Sequence, residues 1–309
     1  MSNPDAGASF GTELGTNRTT WTIAAVSVDH YENFPVASWL CPPALRPAVA
    51  AIYHFARTAD DIADEGNATP DQRLADLAAY RSDLIAMLRV NAVSARWPQV
   101  FGALAPVVER HALPITLLTD LLSAFEQDVV KHAYTDRAEL LDYCRRSANP
   151  VGRLLLHLYG VGGAELLRQS DAICSALQLA NFWQDLSVDT RRGRFYPPAS
   201  DLERHGLDAD ALLMGADTSN MRSLIAELAD WARTLMLSGA PLVHSIPGRA
   251  GWELRLVVQG GRRILEKVAA LNFTTLHTRP KLHALDVPVM VWRALRMRAP
   301  AGLVVSRPA

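Results

Sequence analysis

The chain has 309 residues, with 31 Lys and Arg against 32 Asp and Glu and a hydrophobic fraction of 49%. A chain this apolar and this evenly charged is no disordered polymer, and its net charge of −1 lacks the basic surplus that supplies most nucleic-acid binding. Cys41, Cys144 and Cys174 are far apart and in no CxxC pair, which argues against a disulfide framework or a zinc site and for a reducing cytoplasm.

Residues 1–20 are polar and rich in Gly, Ser, Thr and Asn, without the basic-then-apolar order of a signal peptide, and read as a flexible tail. From Pro43 to Asp64 apolar residues recur at Val49, Ile52, Phe55, Ala56 and Ala59, a helical period. Thr69, Pro70 and Gln72 form a helix start with a capping box, and Leu74, Leu77, Tyr80, Leu84 and Met87 follow on one side. Further helices begin near Pro98 and Pro114, the second carrying Leu118, Leu121, Leu122 and Phe125. Asp136 and Glu139 resemble another capping box, opening a helix through Leu140, Tyr143 and Cys144 that Pro150 must bend or break. Long helices are expected over 164–188, 218–237 and 250–273. Period-two alternation is nearly absent, so no strand is expected. The expected architecture is all-α: one helical domain over 21–298 around a central apolar cavity, with a tail at 299–309. No stretch reaches the roughly 18 apolar residues of a membrane span. The expectation is a soluble, cytoplasmic protein with room for peripheral membrane contact.

Two acidic clusters carry the chemistry. In the first, Asp60-Asp61-Ile62-Ala63-Asp64, Asp60 and Asp64 share a helix face and Arg57 lies one turn earlier. Two carboxylates at that spacing, at a helix C-terminal end, repel unless a cation offsets them. Mg²⁺ suits such oxygen ligands, since it binds one or two carboxylates together with substrate phosphate. A solvated acidic helix end is the plain alternative. In the second cluster, Gln178, Asn181, Asp185 and Asp189 fall within an arc of about 80° on one helix face, at ~100° per residue. Their neighbours Leu177, Leu179, Ala180, Phe182 and Trp183 are apolar, so the stripe fits the wall of an internal cavity, and Trp183 beside it is placed to touch that cavity. Arg191, Arg192 and Arg194 follow in a cationic turn that could meet a phosphate. Here the alternative is an amphipathic helix and a basic loop. Two facing aspartate pairs would cage Mg²⁺ ions around a diphosphate and promote its departure, while an apolar cavity would hold a hydrocarbon tail and shelter a carbocation from water.

These residues resemble the squalene/phytoene synthase family of all-helical isoprenoid synthases, over about Asp29 to Arg296. The specific matches are Phe55-Ala56-Arg57-x-x-Asp60-Asp61-x-x-Asp64 and Gln178-x-x-Asn181-Phe182-x-x-Asp185-x-x-x-Asp189-x-x-Arg192-Gly193-Arg194-x-Tyr196-x-Pro198. Glu32 to Ser38 and Ala59 to Gly66 look like the hopanoid-pathway branch called HpnC. That resemblance implies a hydroxysqualene synthase, which ionises presqualene diphosphate, rearranges the cation and quenches it with water. By position, Asp60, Asp64, Asp185 and Asp189 would be catalytic and hold Mg²⁺, with Asp61 and Asn181 close to the metal. Arg57, Arg192 and Arg279 would contact diphosphate, Gln178 and Asn181 would line the site, and His30 and Asn33 fall in an early segment that relatives use around phosphate. The implied partners are a prenyl or presqualene diphosphate and other hopanoid-pathway enzymes, with no nucleic acid.

Two departures matter. Relatives that condense two prenyl diphosphates usually carry tyrosines at the position of Arg145 and near Gly260-Gly261. Losing both fits an enzyme specialised for the second half-reaction, with Arg145 and Arg146 either a diphosphate clamp or water organiser, or plain surface charge. The alternatives are a synthase that condenses two prenyl diphosphates to squalene, dehydrosqualene or phytoene, and a non-catalytic assembly protein, a class that tends to lose the aspartates retained here. His54 beside Asp60 is too sparse a set for a metal phosphohydrolase and reads as helix-packed. Trp21, Trp39, Trp97, Trp231, Trp252 and Trp292 read mostly as core or interface, and no GxxxxGK[ST] loop is present.

Overall fold

The computed structural model describes residues 40–90 and 93–298. The expected tails and the segment with His30 and Asn33 lie outside the described residues. Among those described the protein is all-α. In chain order the helices are α1 (Arg46–Asp64), α2 (Pro70–Val90), α3 (Pro98–His111), α4 (Ile115–Val130), α5 (Arg137–Ser147), α6 (Asn149–Leu158), α7 (Ala164–Asp189), α8 (Ala199–Arg204), α9 (Ala209–Leu213), α10 (Ser219–Gly239), α11 (Gly248–Ala270) and α12 (Asp286–Leu295).

The local signals act as their chemistry requires. Thr69 and Gln72 exchange hydrogen bonds at the start of α2, the Gln72 amide oxygen accepting from the Thr69 N–H at 2.9 Å. Asp136 caps α5 by accepting from the Glu139 N–H at 2.9 Å, but the Glu139 carboxylate reaches back to the Thr135 N–H and to Lys131 instead of completing a box. Pro150 breaks the chain between α5 and α6 and sits in the first turn of α6, where its missing N–H costs nothing. α11 ends at Ala270 rather than 273, because Asn272 and Phe273 turn into left-handed conformations at φ 52° and 61°. α8, α9 and α12 were not anticipated: the first two are too short to show a period, and in α12 residues 287–292 are apolar throughout.

Three packed regions position the site. The faces of α1 to α4 close on Ile52, Phe55, Leu77, Tyr80, Phe101, Leu118 and Leu122, all essentially inaccessible to water. Each such side chain contributes roughly 1.5–3 kcal/mol of burial. The Tyr80 hydroxyl donates to the Phe55 carbonyl at 3.1 Å, which meets its one polar need. A second region joins α5, α7 and α10 through Leu140, Trp183, Leu186, Leu224 and Leu228, and a third joins α6, α7, α10 and α11 through Leu156, Ile173, Met236 and Val258. Gly261 allows the last approach: a Cβ there would lie 2.7 Å from the Met236 Cε and 2.8 Å from Leu177. Any side chain at that position would require the ends of Met236 and Leu177 to shift.

Candidate active site

α1 supplies the first acidic cluster, and its C-terminal turn carries no basic residue of its own after Arg57. Arg57 folds back over the turn, with Nη1 3.1 Å from the Asp60 carboxylate and Nη2 2.8 Å from Asp61 Oδ1. The second contact is close but misaligned, so Asp61 Oδ1 is a buried oxygen without a hydrogen-bond donor.

α7 supplies the second cluster. Gln178, Asn181, Asp185 and Asp189 are half-buried, while Leu179, Ala180, Phe182, Trp183, Gln184, Leu186 and Ser187 between them are buried. The stripe is therefore a partly open seam on a helix otherwise enclosed by protein. Cys174 lies on the same face, and with Leu177 it lines a largely apolar cavity walled by Val151, Leu155, Leu242 and Leu254. The same helix thus carries the carboxylates toward its C-terminal end and, N-terminal to Gln178, one wall of an apolar cavity that the four stripe residues do not themselves line. Trp183 does not touch that cavity, contrary to expectation: it lies about 140° round the helix from Gln178, fully buried in the second packed region.

The turn after α7 joins the two clusters. Thr190 to Arg192 form one 3₁₀ turn, Gly193 adopts φ 73°, and the Arg194 N–H returns to the Asp189 carbonyl at 2.9 Å. A left-handed residue is needed here, which glycine supplies without steric cost. The chain then pairs with the segment after α4, Phe195 N–H donating to the His132 carbonyl at 2.7 Å. So held, Arg192 lies 3.5 Å from Asp64 and Arg194 binds the same carboxylate. Asp64 and the end of α7 are thereby linked. From the loop after α11, Arg279 clasps Asp185 with both oxygens engaged, Nη2 donating to Oδ2 at 2.9 Å.

Two carboxylates are short of positive charge. Burial pushes the Asp189 carboxyl up to about 7, the charge of Asp185 adds to this, and Arg194, Arg192 and Arg279 oppose it. Asp128 on α4 is also raised to about 7, first by burial and then by Asp60 and Asp64, against a hydrogen bond from the Tyr143 hydroxyl at 3.0 Å and the charge of Arg194. Around them Tyr196 stacks on Phe182 at 3.6 Å and 9°, and Tyr134 lies beside Tyr143. Asp128, Tyr143 and Tyr196 were not among the expected site residues, and Arg194 was expected only as part of a cationic turn that could meet a phosphate. Arg194 and Tyr196 stood inside the matched motif, whereas nothing in the sequence set Asp128 apart from Asp120 and Glu126, the other acids of α4.

Other expectations fare unevenly. Arg145 is exposed and paired with Asp142 on its own helix at 2.7 Å, which is surface charge. Arg146 ties α5 to α4, donating to the Gln127 side chain at 2.6 Å. His54 is exposed rather than packed, its ring edge-on to Tyr53. Trp97 packs partly buried against the first core, and Trp231 lies partly buried beneath Arg137, while Trp252 and Trp292 are exposed.

The donor set suits a hard divalent cation. It is all oxygen, with an Asp61 oxygen that accepts no hydrogen bond and a buried Asp189 carboxyl that its surrounding arginines only partly offset. Among the described residues no three His, Cys, Asp or Glu side chains converge on one point. Phosphate oxygens and water would have to complete a Mg²⁺ shell, as that ion commonly requires.

The squalene/phytoene synthase family model matches residues 28–286. A hydroxysqualene synthase of Sinorhizobium fredii is 33% identical over 236 residues, 76% of this chain and 78% of that protein. One from Rhodopseudomonas palustris is 35% identical over 238 residues, with the same coverage. A crystal structure of the squalene synthase HpnC from Alicyclobacillus acidocaldarius matches with a TM-score of 0.73 at 37% identity, covering 79% of this chain and 90% of that one.

Proposed function

The chain belongs to the squalene/phytoene synthase family, and from that premise we propose that it is a hydroxysqualene synthase, converting presqualene diphosphate and water to hydroxysqualene and diphosphate. It is an isoprenoid synthase. The observation that carries the reading is the junction of Asp64 with Arg192 and Arg194, where the end of α7 meets an acidic cluster, on a helix whose earlier turns line an apolar cavity. The hydroxysqualene synthases among its relatives support the choice of reaction.

Ionisation breaks the carbon–oxygen bond, and the electron pair leaves on diphosphate. Arg57, Arg192, Arg194 and Arg279 gather positive charge where that group departs. Asp60, Asp64, Asp185 and Asp189, with Asp61 and Asn181, would hold Mg²⁺, which when bound neutralises diphosphate charge. Gln178 lines the seam, and the apolar wall beyond it keeps bulk water from the cyclopropyl cation until it has rearranged. One water then adds to the open-chain cation and loses a proton. By resemblance alone His30 and Asn33, which lie outside the described residues, would also contact phosphate. The enzyme works in the cytoplasm against a membrane surface, between the enzymes that make presqualene diphosphate and those that use the C₃₀ product.

Purified protein with presqualene diphosphate and Mg²⁺ is expected to release diphosphate and form hydroxysqualene. Chelation, Asp60→Asn or Asp185→Asn is expected to abolish release while the fold persists; full activity in either variant would refute the cation cage. Farnesyl diphosphate supplied alone separates this reading from a condensing synthase. Turnover of it would show that the first half-reaction is retained, despite Arg145 and the absence of a side chain at Gly260 and Gly261.

A further inference from the structure

α12 is built with its polar groups inward. Asp286 is buried against α11, 2.7 Å from Arg263 and 2.8 Å from Lys267, and Arg293 pairs with Glu266 of the same helix. Ala294 is also buried there, and Arg255 of α11 donates to the carbonyls of Ala294 at 3.3 Å and Met297 at 2.9 Å. The outward side is apolar: Leu285 is 88% exposed, Val287 53%, Trp292 52% and Leu295 63%. A helix on a water-facing surface carries the opposite pattern, and the ion pairs to α11 fix which side faces out. A second exposed tryptophan, Trp252 on α11, lies under Arg255, which itself reaches the end of α12.

We propose that this outer face of α12, with Trp252, docks on a bilayer that contains anionic lipid. The charge pattern selects that occupant. Arg296 lies 4.1 Å over the Trp292 ring, and Arg298 is exposed next to it. The only acid between Arg279 and Arg298 is Asp286, which is buried in its ion pairs. Aliphatic groups flanked by Trp and Arg suit the boundary between acyl chains and headgroups, where the indole rings and guanidinium groups keep polar contact while the aliphatic groups leave water. The same connection that leads into α12 carries Arg279, which holds Asp185. Docking there would bring a membrane-dissolved hydrocarbon substrate close in the chain to the diphosphate end of the site. The inference stands on the exposed face and does not depend on which prenyl diphosphate is used.

Full-length protein is sedimented with vesicles of phosphatidylcholine and phosphatidylglycerol, and with vesicles of phosphatidylcholine alone. The wild type is expected to sediment with the anionic vesicles. A Trp292→Glu, Leu295→Glu double variant is expected to lose at least about tenfold in vesicle affinity, with an unchanged thermal midpoint because both side chains are exposed. Arg296→Gln is expected to weaken binding to the anionic vesicles. Wild type left in the supernatant, or equal sedimentation of the double variant, overturns the proposal. So does a wild-type dimer in solution that the double variant splits without any vesicle binding, since the face would then be covered by a second copy. Turnover of detergent-dispersed presqualene diphosphate, measured alongside, fails or holds independently of vesicle binding.

Discussion

The ends of α1 and α7 carry aspartates at the same four-residue spacing, yet they sit in different electrostatic conditions. On α1, Asp60 and Asp61 face Arg57, and Asp64 faces Arg192 and Arg194. On α7, Asp185 is clasped by Arg279, while Asp189 has no ion pair within 4 Å among the described residues and its carboxyl is held up at about 7 by burial and by Asp185. Equal spacing therefore does not mean equal roles. The α1 acids are largely matched by protein cations, and the α7 end keeps an unmet demand for positive charge, which is where an incoming cation gains most.

The largest expected effect tests that asymmetry. Asp189→Asn should lower kcat/KM by about 10³ or more, within the usual range for removing an electrostatic catalytic group. It should also stabilise the metal-free protein. The folded pKa of Asp189 is raised from 3.8 to about 7, so its favourable contribution is full below the unfolded value and is lost as pH rises through about 7. Melting curves with chelator should show the variant gaining on the order of 1–2 kcal/mol at pH 8 and little at pH 4. Loss of stability at pH 8 would mean that Asp189 is already compensated. With Mg²⁺ added, the wild type should gain thermal stability that the variant does not.

Asp64→Asn should do the reverse on the α1 side. Activity falls by about 10², but here stability falls too, by about 1 kcal/mol, because Arg192 and Arg194 lose the partner that joins the end of α7 to α1. Comparison of the two melting shifts, opposite in sign, separates the matched cluster from the unmatched one. Arg279→Gln should have a smaller effect, roughly tenfold in kcat/KM. It removes the clasp on Asp185 and one of the charges that lower the Asp189 pKa, so the pH at which activity rises should move upward.

How far the site could be read from sequence follows the same physics. The α1 and α7 clusters were visible because a helix repeats every 3.6 residues, so spacing alone puts Asp185 and Asp189 on the face of Gln178 and Asn181. The helical class was visible for the same reason. Asp128 was not, because α4 also carries Asp120 and Glu126 and spacing does not single out one of the three, and its environment is made by residues from α1, α5 and the turn after α7. Arg194 stood inside a matched motif, but its contact with Asp64 depends on the left-handed turn at Gly193 and on the pairing of Phe195 with His132. α12 escaped notice because it is ten residues long and residues 287–292 are apolar throughout, which leaves no polar break to show a helical period.

Tyr143→Phe carries the smallest expected effect and the finest test of the comparison. Its hydroxyl donates to Asp128 at 3.0 Å and lowers that carboxyl against the burial and the Asp60 and Asp64 charges that raise it. Removing one neutral donor to a carboxyl typically costs about 1 kcal/mol, but here the cost depends on pH. Below the unfolded value of 3.8 Asp128 is protonated in both states, and the loss should be slight. As pH rises through about 7 the folded protein must ionise a buried carboxyl with one donor fewer, so the difference between variant and wild type should widen from pH 5 to pH 8. Asp128 feels the charges of Asp60 and Asp64 and that of Arg194, which itself binds Asp64. If Mg²⁺ supplies the missing charge to this neighbourhood, its addition should narrow the same difference. A gap that ignores both pH and Mg²⁺ would make the Tyr143 hydroxyl an ordinary packing contact, and would confine the unmet charge to Asp189.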